Sequence, residues 1–414
     1  MGFFLDPNPI FSILSYCGCS RSGLSTKWIR NMGRGAYISG WGVFLPNAPI
    51  ENQQIEDVLG HMKSQSAAVK RRVLINNGIT RRYYAIDPAT GAATHTNARL
   101  TAEAIKNLCQ TSGFSAADIQ CLSCGTSSAD QIIPNHASMV HAEIGSPPCE
   151  IASLSGVCCS GVSALKYGYL NVLAGACENA VVTGSELASP SLRSSHFEPQ
   201  IRLNTKGPAD QPGLPFGNEF LRWMLSDGAG ALLITPTPRP DALSLRINWV
   251  DIASYASESD VCMYFGLQKH ADGRTSSFRT VDNEGDLFRG GYLSLTQDIR
   301  VLNERLPQLM RAAFDRLLER HSLAAVDLDW IIPHYSSQWF RQSLHDGLAE
   351  LGFVVPFEKW FSNLSSKGNT GSAAMYIMID ELMSTGKAHR GQRILCIIPE
   401  SARMMFGFVH LTVV

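Results

Sequence analysis

The stretch Gly156-Val157-Cys158-Cys159-Ser160-Gly161 sets two adjacent thiols just ahead of an apolar-periodic run. Most buried cysteines act only as small apolar side chains. A cysteine in the first turn of a helix is different: it faces the positive end of the macrodipole and free backbone N–H groups, both of which favour thiolate. Ser160 and Gly161 permit a sharp strand-to-helix turn, so Cys159 is the better-placed nucleophile, and Cys158 falls on the strand side of that turn. Two more residues join it. His334 follows an apolar strand as Pro333-His334, and Asn369 sits in Gly368-Asn369-Thr370 before a second apolar helix. Alone, His334 reads as a core histidine and Asn369 as a helix cap. A Cys, a His and an Asn at one point are equipped for thioester chemistry, with a nucleophile to carry an acyl group and two polar groups to steady the charge that develops.

What would bring them together is a duplication. TAEAIKNLCQTSG leads into SAADIQCLSCGTSS, and LPQLMRAAFDRLLERHS leads into LAAVDLDWIIPHYSS, with Asp118 and Asp327 in matching turns. The following units match too. CCSGVSALKYGYLNVLAGACENAVVTGSELAS and NTGSAAMYIMIDELMSTGKAHRGQRILCIIPESAR each run from small residues through a helix and a strand to a polar end. Val162, Leu165, Tyr169 and Leu173 recur at three- and four-residue steps, one helix face. Two βα-rich halves, 32–235 and 236–414, would pack their central helices between sheets. A pseudo-two-fold axis would then gather the tips that carry Cys159, His334 and Asn369. Pro199 to Gly217, rich in Pro and Gly, reads as a long loop over an entrance.

The remaining composition narrows the function classes. The 414 residues are 45% hydrophobic with a formal net charge of −1, which gives no reason to expect nucleic acid. Eleven cysteines without regular spacing point to a reducing, cytoplasmic setting rather than disulfides or zinc. His136 and His141 are five apart, off one helix face, so no metal site is expected. No run of about 18 apolar residues occurs, so no membrane span is expected. Residues 1–31 lack the basic start and unbroken apolar run of an export signal, and Met32 is the expected true start. Lys70, Arg71, Arg72, Arg81 and Arg82 cluster within a short span, readable as a solvated face or as a docking patch for an acidic partner.

Together CCSGVSALKYGYLNVLAG, LSDGAGALLI, DWIIPHYSSQWF and SKGNTGSAA resemble a type III β-ketoacyl-acyl carrier protein synthase of the thiolase-like superfamily, from about Met32 to the C-terminus. The resemblance implies an α/β fold of thiolase-like duplicated halves in a layered α-β-α-β-α sandwich. It places the family's nucleophile on Cys159 and its His and Asn on His334 and Asn369. It further implies a homodimer, acyl carrier protein as partner, and no cofactor beyond thioesters carried on acyl carrier protein or coenzyme A. RRVLINNGITRRYYAID, THTNARLTAEAI and SCGTSSADQIIPNHASMVHAEIG resemble the DarB-type branch, the dialkylresorcinol condensing enzymes. That branch implies joining a β-ketoacyl thioester to a second acyl thioester to give a cyclohexanedione or resorcinol-type ring, with a separate aromatising oxidoreductase downstream.

Three departures from the type III pattern bear on substrate. The nucleotide-gripping Trp and Arg-Thr-Gly-Ile stretch is replaced by Asn76-Asn77-Gly78-Ile79, which favours carrier-protein delivery over coenzyme A. The dimer-gating Phe before Pro is Ile133, expected to shape the acyl pocket across a subunit interface. The C-terminal glycine loop is replaced by Glu400-Ser401-Ala402-Arg403, with Ser401 and Arg403 expected at the substrate. Arg403 either holds a β-keto oxygen or carboxylate, or forms a buried salt bridge with Glu400. The same residues also fit an ordinary decarboxylative type III synthase or acyltransferase. From another class, they fit a non-catalytic acyl-binding subunit.

Overall fold

The computed structural model describes residues 34–62, 67–197, 220–270 and 272–414. The segment 1–31, the start at Met32 and most of the Pro199–Gly217 loop lie outside the described residues. Nine strands form the main sheet: β1 (Tyr37–Phe44), β2 (Cys121–Thr126), β3 (Glu150–Ser155), β4 (Ala180–Glu186), β5 (Gly228–Thr235), β6 (Leu245–Ser254), β7 (Trp330–Pro333), β8 (Arg393–Glu400) and β9 (Met405–Val413). Their order is β7-β8-β9-β6-β1-β5-β4-β2-β3. Strands β2 and β4 are buried on both faces along their whole length, as strands covered by helices on each side must be.

The two halves have the same topology. In the first, β3-β2-β4 are parallel and β5 and β1 continue antiparallel. In the second, β7-β8 are parallel and β9 and β6 continue antiparallel. The counterpart of β3 is reduced to one parallel bridge, Ile331 with Trp360. The half-sheets meet edge to edge only where Tyr37 and Ile38 of β1 pair with Arg246 and Leu245 of β6.

Six helices matter for the site: α1 (Asn97–Ser112), α2 (His136–Ile144), α3 (Cys158–Ala174), α4 (Ile299–Arg320), α5 (Trp339–Ala349) and α6 (Ala374–Ser384). Helices α3 and α6 form the middle layer. Helix α3 touches strands of both halves, as does α6, and their residues are apolar almost all round because both sides are covered. Helices α1 and α2 cover the outer face of the first half, and α4 and α5 lie on the second. The result is the α-β-α-β-α sandwich. Close approach of the middle helices needs glycine: a Cβ on Gly161 would lie 2.3 Å from the Ser372 carbonyl oxygen, and one on Gly184 would meet the same oxygen. The Tyr376 hydroxyl donates to the Gly161 carbonyl at 2.8 Å across this contact.

Candidate active site

Helix α3 starts at Cys158, and Val157 ahead of it offers no side-chain cap. The missing acceptor comes from the other half. Glu400, the last residue of β8, accepts the Val157 and Cys159 N–H groups on one oxygen, Oε2, at 3.1 Å each. Glu186, the last residue of β4, does the reverse. Its Oε2 accepts the Ser372 N–H at 3.3 Å, just ahead of α6, while Oε1 takes the Ser127 and Ser128 hydroxyls. Each half thus caps the central helix of the other with a carboxylate. Both carboxylates are buried, and burial pushes their pKa above the ordinary glutamate value.

This exchange changes the thiols. Burial, then the Glu400 charge, pushes both Cys158 and Cys159 well above the ordinary thiol range. The expected thiolate-stabilising helix start is therefore not what the thiols meet in this state: the N–H groups are occupied and a negative charge stands among them. The two cysteines also face different ways. Cys159 is fully buried and its Sγ donates to the Ile398 carbonyl at 3.1 Å. Cys158, half-buried, lines a cavity of about 1280 Å³.

His334 and Asn369 line the same cavity. The His334 backbone N–H donates to Ile397 at 2.8 Å, which fixes it at the mouth of β7 and β8. Burial holds its imidazole down at about 4, so the ring is neutral at ordinary pH. Asn369 is tied into the chain on both sides, its N–H to Met224 and its carbonyl to Ser226 N. Its Oδ1 accepts the Gly371 N–H at 3.0 Å, which leaves the Nδ2 amide as the free donor. The arrangement offers a thiol, a neutral imidazole and an amide donor on the wall of one cavity. Apolar side chains line the same cavity, among them Leu302, Leu306, Met310, Phe340, Leu344 and Leu348.

The other sequence-derived residues fall out as follows. Ser401 lies on the cavity wall. Arg403 also lines it, but is exposed and donates through Nε to the Ala256 carbonyl at 3.1 Å; no buried bridge to Glu400 forms, since that carboxylate faces α3 instead. Ile133 is 84% exposed and off the wall; its neighbour Ile132 lines the cavity in its place. Arg71 and Arg72 are exposed on a surface helix. Arg82 is fully buried, and its Nη2 donates to the Trp223 carbonyl at 3.0 Å, so it is removed from any docking patch. Its strand alternates faces, sending Arg81 out to Glu51 and Arg82 in. Asn77, in the stretch replacing the nucleotide grip, is the buried last residue of the helix Ala67–Asn77; its Nδ2 donates to the Trp223 carbonyl and its Oδ1 accepts the Ile79 N–H.

Sequence reasoning missed Cys158 as the thiol on the cavity wall and the two capping carboxylates. A signal for the latter was present: Glu186 and Glu400 end equivalent strands of the duplicated units.

Comparison with known proteins agrees with this architecture. The 3-oxoacyl-(acyl-carrier-protein) synthase III C-terminal family matches residues 318–397. A β-ketoacyl-(acyl-carrier-protein) synthase III of Clostridium perfringens is 24% identical over 367 residues, 88% of this chain and 95% of that protein. One of Hyphomonas neptunium is 23% identical, with 88% and 95% covered. Among solved structures, AbyA1, a tetronic acid condensing enzyme, superposes with a TM-score of 0.70 at 19% identity, covering 91% of this chain and 99% of that one. The synthase III of Pseudomonas aeruginosa PAO1 gives 0.66 at 20%, with 92% and 98% covered. A variant of Xanthomonas campestris OleA gives 0.68 at 15%, with 92% and 97% covered. The fold is thiolase-like, and over most of its length the chain is similar in sequence to β-ketoacyl-(acyl-carrier-protein) synthases III.

Proposed function

We propose that this protein joins a β-ketoacyl thioester to a second acyl thioester through an acyl-cysteine intermediate, giving a cyclohexanedione or dialkylresorcinol precursor. The observation that carries the reading is the cavity. At about 1280 Å³ it exceeds the roughly 300–1,000 Å³ of ordinary small-molecule sites, and its wall combines a thiol, an imidazole and an amide with many aliphatic and aromatic side chains, which suits two acyl groups in one site.

In the first step a cysteine thiolate attacks the thioester carbonyl, the carrier thiol leaves, and the acyl group remains on sulfur. The second substrate then gives up a proton from the carbon between its two carbonyls to the free ring nitrogen of His334, which passes it on to the cysteine sulfur as that is released. The neutral His334 N–H and the Asn369 Nδ2 donate hydrogen bonds to the enolate oxygen. The carbanion attacks the enzyme-bound acyl carbon, the C–C bond forms, the C–S bond breaks and the thiolate is released. Cys159 is the proposed nucleophile, on its Cys-x-Gly turn; reaching substrate requires its Sγ to leave the Ile398 carbonyl and turn to the cavity. The cavity wall favours a second assignment, Cys158. Acyl carrier protein is the proposed donor, with Arg71 and Arg72 as its docking residues, and a homodimer is the proposed assembly. A second function, decarboxylative synthesis of a linear β-ketoacyl product, is favoured by the curated relatives.

The test is mass spectrometry of products from a β-ketoacyl carrier protein and a second acyl carrier protein, with Cys158→Ala and Cys159→Ala alongside. A cyclic diketone lost in one cysteine variant supports the reading and names the nucleophile. A linear product formed only from malonyl thioester replaces it with the decarboxylative function.

A further inference from the structure

Strand β2 begins at Cys121, and the connection that leaves the far end of α3 carries Cys177. Three hydrogen bonds pin their segments together. Asn179 accepts the Gln120 N–H on Oδ1 at 3.0 Å and donates through Nδ2 to the Asp118 carbonyl at 2.9 Å, and Gln120 Oε1 accepts the Glu178 N–H at 2.8 Å. Both cysteines belong to the same buried apolar cluster, where the Cys121 thiol donates a hydrogen bond to the Cys177 sulfur. The two sulfurs touch and both are free thiols. Cys121 is fully buried, whereas Cys177 keeps 8% of its surface open. A surface groove walled by Gln120, Cys149, Glu150 and Asn179 runs beside these segments, apart from the cavity that holds His334 and Asn369.

The contact makes the thiols unequal. The hydrogen bond from Cys121 pushes the Cys177 thiol below its ordinary value, and the charge of Arg34, whose Nη2 donates to the Cys177 carbonyl at 3.2 Å, acts in the same direction. Cys121 is pushed up by that hydrogen bond and then by burial. Of the nine cysteines among the described residues, Cys177 is the one shifted down. The other eight are raised, Cys158 and Cys159 among them. Because the thiolate is the reacting form, an oxidant meets its best target at Cys177 and not at the start of α3.

We propose that Cys121 and Cys177 are an oxidisable dithiol, a modification site at which a hydroperoxide converts the touching pair to a disulfide and spares the thiols at the other end of α3. The Cys177 thiolate attacks a peroxide oxygen, the O–O bond breaks, and the leaving oxygen takes up a proton as water or alcohol. The Cys121 sulfur then attacks the Cys177 sulfenic acid and gives up its proton. The S–S bond forms, the S–O bond breaks, and the second oxygen leaves with that proton as water. Two thiols lose two electrons and one hydroperoxide gains them. The link ties the start of β2 to the end of α3, whose segments are already held together. Along the helix, Cys158 lies roughly 24 Å away, so the cavity is not drawn into the change.

The test is titration of the reduced protein with hydrogen peroxide, quenched with N-ethylmaleimide and mapped as non-reduced peptides. The expected result is that the first equivalent of peroxide consumes two thiols and joins the peptides that carry Cys121 and Cys177. Cys158 and Cys159 stay reduced, and dithiothreitol undoes the link. The thermal midpoint should rise, because the link restricts the unfolded chain between the two positions. Cys121→Ser should leave Cys177 as a sulfenic acid that dimedone traps, and Cys177→Ser should slow peroxide consumption by about tenfold or more. The peptide map is taken on the wild type, so it decides the matter even where a serine variant fails to fold, and it needs no turnover of any thioester. Oxidation of Cys158 or Cys159 ahead of the pair would overturn the proposal. So would a Cys177 that stays reduced while peroxide is consumed, or one that pairs with Cys149 instead of Cys121.

Discussion

Replacing Glu400 by glutamine isolates the charge that the second half places among the thiols of the first. The amide keeps the shape of the side chain and an oxygen able to accept the Val157 and Cys159 N–H groups, which both now bond Oε2. Only the negative charge is lost. At an effective dielectric of about 20, a unit negative charge about 5 Å from a thiolate costs it about 3 kcal/mol. That is about two decades in thiolate population. Because a less basic thiolate is also less nucleophilic, with a slope near 0.5, the alkylation rate should rise by about tenfold. The assay is iodoacetamide labelling over a range of pH, followed by peptide mapping that separates Cys158 from Cys159. Cys158, on the cavity wall, should label first in both proteins. As pH falls through the raised value of the Glu400 carboxyl, the wild type loses the charge too and the two rates should converge. Glu400→Ala is the contrast: it leaves two N–H groups unpaired at the helix start and should cost about 2–4 kcal/mol of stability. A glutamine variant that is folded but labels no faster than wild type at high pH would refute the electrostatic argument.

The His334 imidazole should stay neutral well below the ordinary histidine range. Titration followed by NMR should show a midpoint at about 4, and one near 6.5 would mean that the ring is solvated. Gly161→Ala should destabilise the protein by about 1–3 kcal/mol or more, read by urea denaturation, because the new methyl meets the Ser372 carbonyl at 2.3 Å between two packed helices; an unchanged midpoint would mean that the middle layer can spread. Asp227 is buried, and that burial raises its carboxyl to about 6 although it accepts the Ala85, Ala188 and Ser189 N–H groups. The stability tied to this raised value is fully present below the unfolded value of about 4 and is lost as pH rises through about 6, an amount of about 3 kcal/mol. Asp227→Asn should therefore flatten the pH dependence of unfolding over that window, and a slope identical to wild type would refute the assignment.

The repeat of helix, strand and polar tip was legible because duplication leaves matching patterns, and the two half-sheets indeed share one strand order. The start of α3 was legible from the small residues after Cys159. What was not legible depended on parity and on docking between halves. One residue decides whether a side chain faces the cavity or the core, as Cys158 and Cys159, Ile132 and Ile133, and Arg81 and Arg82 each show. Neighbours in the chain cannot settle such choices when the helix or strand is covered on both sides. The Glu400 contact joins residues about 240 apart, and no local pattern in the Val157–Gly161 turn announces it. The same holds for Arg403, whose charge suggested a partner in Glu400 and which instead holds the Ala256 backbone.

The crossed glutamates carry an evolutionary consequence. A single half, expressed by itself, would present a middle-layer helix with an uncapped start and a strand-end carboxylate with nothing to cap. Each fragment has its own half-sheet and yet relies on the other for a helix cap. If the chain arose by fusion of two copies of one ancestral gene, that ancestor already worked as a symmetric pair, each copy lending its glutamate to the other. Fusion made the exchange permanent and freed the two copies to diverge: one start kept its thiols while the other took an asparagine. Co-expression of the halves split between Thr235 and Leu245 should therefore restore the fold where either fragment alone does not.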